Sequence, residues 1–99
     1  MDPKDKRARV RAWQRQEREA ARAELPLDDS EFEALFRMLQ AQLAQAPCDH
    51  TRHQTEAWLR GRGHDIAMLR SWLDATGGYC DCEVLANSEQ AWRWAADRD

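Results

Sequence analysis

Two short motifs hold the residues best equipped for chemistry: Cys48-Asp49-His50 and Cys80-Asp81-Cys82. Each offers two soft or borderline donor side chains one residue apart. In extended backbone, residues i and i+2 point the same way, so each motif can aim two donor atoms at one point. Together they make a Cys3His set, a combination found in closed tetrahedral structural zinc sites. Zn2+ is the expected ion because thiolate and imidazole suit it, with Cu+ or iron as alternatives. His53 competes with His50 for the fourth position, and His64 reads as a turn residue. Asp49 and Asp81 could orient ligands from behind, or equally be solvated turn carboxylates. The competing accounts of the cysteines are three reduced thiols in a small core, or a disulfide from Cys48 to Cys80 or Cys82.

The elements that must position these donors are legible from periodicity and caps. Residues 4–24 are rich in Ala, Arg, Gln and Glu, strong helix formers. Leu25 to Asp29 reads as a linker. Ser30 with Glu33 reads as a capping box opening a second helix, whose stripe is Phe32, Leu35, Phe36, Leu39 and Leu43. Thr51 with Gln54 reads as a second capping box, starting a helix that Gly61 and Gly63 end. Asp65 is the expected cap of a fourth helix carrying Ile66, Leu69, Trp72 and Leu73. The last two helices form a hairpin that returns Cys80 and Cys82 to Cys48. Tyr79 to Leu85 alternates and reads as a short extended segment, with Ser88 capping a final helical turn.

The motifs C-D-H-T (48–51), A-W-L (57–59) and G-G-Y-C-D-C-E-V-L-A-N (77–87) resemble the bacterial family DUF2695. The resemblance runs from roughly Arg15 to Glu89, including the segment R-Q-E-R-E-A-A-R-A-E-L-P-L (15–27), and the 77–87 block is its most specific part. It implies Cys48, His50, Cys80 and Cys82 as signature positions. It implies no reaction.

Composition bounds the remaining possibilities. The 99 residues carry 42% hydrophobic and 33% charged side chains, which suits one small domain with a thin core. The longest apolar run, Ile66 to Leu69, cannot span a bilayer. Three cysteines cannot all pair within one chain, and no apolar leader precedes them. A cytoplasmic, reducing setting is therefore expected. Residues 1–24 hold eight Lys/Arg against five Asp/Glu, whereas residues 25–99 hold seven against thirteen.

Arg7, Arg11, Arg15, Arg18 and Arg22 share one face of the first helix and could contact an anion such as a phosphate backbone. Glu17, Glu19 and Glu24 dilute this stripe, so a solvated helix, or one leaning on the acidic body, is the favoured reading and nucleic acid the weaker one. Of the five tryptophans, Trp58 and Trp72 are expected in the core. Trp13, Trp92 and Trp94 are expected near the termini, packed together or anchoring a protein partner. No H-E-x-x-H, nucleophile elbow or phosphate loop supports catalysis.

The expectation is a mainly α protein: an Arg-rich arm (1–24), then a zinc-stabilised domain (25–99) of about four helices with one extended Cys-x-Cys segment. It would act as a non-catalytic interaction module. Metal handling, as chaperone or sensor, is the alternative.

Overall fold

The computed structural model describes residues 2–98. Helix α1 spans Pro3–Ala23, with Pro3 at its first turn and the Asp2 carboxylate accepting from Lys4 N–H at 3.0 Å. Proline costs nothing there, because that N–H would lack a helical partner anyway. Helix α2 spans Asp29–Gln45 and is capped by Asp28, which accepts from Glu31 N–H. The cap thus lies two residues before Ser30, whose hydroxyl instead donates to Asp28. Helices α3 (His53–Gly61) and α4 (Ile66–Ala75) follow, α4 capped by Asp65 as expected.

Residues 79–85 depart from the extended reading. Cys80 alone caps in extended conformation (φ −143°, ψ 169°). Helix α5 (Asp81–Glu83) begins directly after it and runs through a π-helical turn (Val84–Ser88) into α6 (Glu89–Ala95). The alternation was real but short, and core packing of Val84 and Trp92 favours the helix. Ser88 caps nothing; it lies inside this continuous rod. Among the described residues the chain is helical without a strand, and the mainly α reading stands.

The core is built on the α2 stripe. Phe32, Leu35, Phe36 and Leu39 are buried, while Leu43 at the end of the helix is half-buried. Leu59, Leu69, Leu73, Val84 and Trp92 close over them. Phe32 is the hub, with ring centroids 5.9 Å from Phe36, 5.1 Å from Trp72 and 5.6 Å from Trp92. Trp92, expected only to pack with the other terminal segment or to anchor a partner, is 1% exposed in the main core, and its Nε1–H donates to Asp29 at 3.1 Å. Trp58 and Trp72 pack at the core's edge.

Helix α1 contributes no buried residue and packs along α6. The molecule measures 54 × 25 × 21 Å, and its radius of gyration of 16.0 Å exceeds the roughly 13 Å of a compact chain this long. No described helix is long and apolar enough to cross a membrane.

Candidate metal centre

Three sulfurs meet where the α3–α4 hairpin opens. Cys48 lies in the turn between α2 and α3; Cys80 and Cys82 lie at the start of α5. Their Sγ atoms all fall within 4.8 Å of one another. The Cys80 and Cys82 sulfurs are 3.3 Å apart, close to the roughly 3.8 Å separation that tetrahedral bonding with metal–sulfur bonds of about 2.3 Å requires. All three cysteines are free of disulfide bonds.

Backbone donors surround the sulfurs. Cys48 Sγ accepts from Cys82 N–H and from His50 N–H, the latter at 3.4 Å, and its thiol is held below its ordinary range chiefly by the Cys82 bond. Burial pushes the Cys80 thiol up to about 12, opposed by Glu83 N–H. Negative charge on neighbouring sulfurs is mutually opposed. A cation held by all three removes that opposition, and metal binding of this kind releases protons.

The imidazoles lie elsewhere. His50 sits at φ 70°, in the left-handed region, and meets the sulfurs through its backbone N–H. Its ring is not in the thiol group among the described residues. The extended geometry assumed for C-x-H fails because Asp49 closes a tight turn, accepting from Thr51 N–H at 3.0 Å and from Thr51 Oγ1–H at 2.7 Å. His53 joins a second group with Asp49 and Asp81. Its Nδ1 lies 3.0 Å from Thr51 Oγ1, 3.1 Å from Asp49 and 3.9 Å from Asp81. His64 is bonded to Glu31 at 2.7 Å, 33 residues away in the chain.

Asp81 is the residue that sequence reasoning valued least correctly. Its side chain is buried and caps α3 from across the fold. Thr55 N–H and Oγ1–H donate to Oδ1 at 3.0 and 2.7 Å, and Gln54 N–H donates to Oδ2 at 3.2 Å. In return Asp81 N–H donates to Thr51 O at 2.9 Å. The Thr51–Gln54 capping box does not form; Thr51 turns to Asp49 and His53. Arg52 adds a second clasp, donating to Asp74 at 2.7 Å and to Gly78 O at 3.1 Å.

Glu83, which strict alternation across 79–85 would set on the side opposite Cys80, accepts from Cys80 Sγ–H at 3.6 Å. The overlooked signal was the C-x-x-E spacing, which mimics a capping box.

The glycines explain the rest of the 77–87 block. Gly77 ends α4 at φ 78°, and Asn87 Nδ2–H donates to its carbonyl at 3.0 Å. A Cβ at Gly78 would collide with Ser88 Oγ and press on Val84 Cα at 3.2 Å. The π turn places Ser88 there, its Oγ 2.7 Å from Thr76 Oγ1.

The arginine stripe divides. Arg18 pairs with Asp97 at 2.8 Å and Arg22 with Asp29 at 3.2 Å. Arg7, Arg11 and Arg15 have no ion-pair partner among the described residues.

A family model described as a protein of unknown function, DUF2695, matches residues 35–87. An uncharacterized protein of Mycobacterium tuberculosis is 36% identical over 78 residues, covering 79% of each chain. An uncharacterized protein of Mycobacterium bovis matches to the same extent, 36% identity and 79% of each chain. No solved structure matches.

Proposed function

This chain belongs to the DUF2695 family, and on the geometry of its three thiols we propose a metal-binding module that uses Cys48, Cys80 and Cys82 to hold one zinc ion. The carrying observation is that sulfurs from both ends of the α3–α4 hairpin converge within 4.8 Å. The metal is structural in this reading: it crosslinks the approach to α3 with the approach to α5, beside the Asp81 cap. The fourth donor is His50 after a rotation of its turn, or the Glu83 carboxylate. The module is non-catalytic and serves a protein partner. Purified protein should carry about one zinc per chain by elemental analysis. Cobalt in its place should show sulfur-to-metal charge transfer that Cys80→Ser and Cys82→Ser abolish. Chelation should lower the melting temperature markedly, because binding and folding are coupled. Metal-free protein with unchanged stability would overturn the structural role.

One observation favours a second reading, metal handling. Cys82 is exposed, and the thiol group holds three donors, with no fourth within the same reach among the described residues. Catalytic and exchange sites keep such an open position. That reading expects rapid transfer of the ion to a chelator while helical circular dichroism stays constant.

A further inference from the structure

The two halves of α1 differ in how their charge is met. Arg18 and Arg22 are tied to the body by Asp97 and Asp29. Lys4, Lys6, Arg7, Arg9, Arg11 and Arg15 make no side-chain ion pair or hydrogen bond among the described residues. Within the body, several acids are already paired with cations of the body itself. Glu31 holds Arg62 and His64; Glu33 holds Arg98; Glu56 holds Arg52, Arg60 and Arg70; Glu89 holds Arg93. The cationic half of α1 thus projects, without side-chain partners among the described residues, from a body that carries thirteen Asp/Glu against seven Lys/Arg.

The fold adds aromatic faces to that charge. Trp13 and Trp94, 81 residues apart in sequence, are 60% and 44% exposed and line one groove of about 380 Å³ with Gln14, Glu17 and Arg18. The Arg18 guanidinium lies 5.4 Å from the Trp94 ring centroid. Its Nε is the one buried side-chain nitrogen or oxygen without a hydrogen-bond partner among the described residues. The adjoining seam between α1 and α6, about 590 Å³, carries Arg11, Arg15, Arg18 and Arg22 against the two carboxylates Glu19 and Asp97, the latter already paired with Arg18. Guanidinium groups tracking a backbone beside open aromatic faces are how sequence-tolerant single-strand binding is built.

We propose that the projecting half of α1 and its seam with α6 bind single-stranded nucleic acid, phosphates on Arg11 and Arg15 and a base on the Trp13–Trp94 groove. A paired duplex would not present its base faces to these rings. A lipid surface fits less well, because α1 has Val10 and Trp13 but no broad apolar face to insert.

The test uses the full chain with oligothymidylate and oligouridylate in fluorescence anisotropy. Binding at low salt is expected for one or both, the comparison telling DNA from RNA preference. With about four phosphates engaged, affinity should fall roughly fifty-fold between about 50 and 200 mM salt. Arg11→Ala with Arg15→Ala should flatten the salt slope by about 1.4. Trp13→Ala should weaken binding by about tenfold with the slope unchanged. Arg60→Ala, on α3 and outside both grooves, should change nothing. All these positions are exposed, and helical circular dichroism checks that each variant keeps its fold. The proposal fails if neither oligonucleotide binds at low salt, or if the double variant binds as well as the parent. It fails equally if duplex DNA binds as tightly with no effect of Trp13→Ala. Capture by anionic phospholipid vesicles, or self-association, without oligonucleotide binding would also overturn it.

Discussion

At the scale of single residues, the 77–87 block is a set of unrelated physical requirements packed into eleven positions. Gly77 supplies a positive φ, Gly78 supplies missing volume, Cys80 and Cys82 supply sulfur, and Asp81 supplies a buried acceptor. Asn87 and Ser88 lock the turn from the far end. Gly78→Ala is the sharpest test, since the added methyl has no room between Ser88 and Val84. It should destabilise the fold by about 1–3 kcal/mol, a loss of roughly 5–20 °C in thermal denaturation. A neutral result would show that the π turn can relax.

Two predictions belong to the elements. Helix α3 has no side-chain cap of its own, so its start depends on Asp81. Asp81→Ala removes three hydrogen bonds to a buried carboxylate and should cost about 2–4 kcal/mol. Asp81→Asn, which keeps one acceptor, should cost less. Chemical denaturation of the two variants side by side checks the order. Helix α2 is fastened to the α3–α4 loop by Glu31, whose carboxyl is lowered from 4.5 to about 2, chiefly by Arg62 and then by His64. A depressed folded-state pKa gives stability that is present above the unfolded value and lost as pH falls toward the folded one. Glu31→Gln should therefore melt lower than the parent at neutral pH. The gap should close between about pH 4.5 and 2. A gap independent of pH would mean that the pairing is not what matters.

For the molecule as a whole, the arm and the body are energetically unequal. Because α1 buries none of its residues, removing residues 1–24 should change stability by about 1 kcal/mol or less. Thermal melting of the truncated chain checks this. A collapse on truncation would mean that the ties from Arg18 and Arg22 carry more than exposed ion pairs usually do.

What the chain determined by itself was local. The Phe32–Leu39 stripe, the helix-forming composition of 4–24 and the Asp65 cap act through neighbours within a turn or two, so periodicity and capping chemistry reveal them. The convergence of Cys48 with Cys80 and Cys82 was also readable, because a hairpin must bring its ends together. The tertiary structure decided the rest. It chose helix over strand at Asp81, moved Trp92 to the centre and turned His50 away from the sulfurs. It also set Asp81 under α3 and Trp94 beside Trp13. Each of these depends on what a residue meets from a distant part of the chain. Burial and backbone satisfaction there outweigh the propensities of a few neighbouring residues.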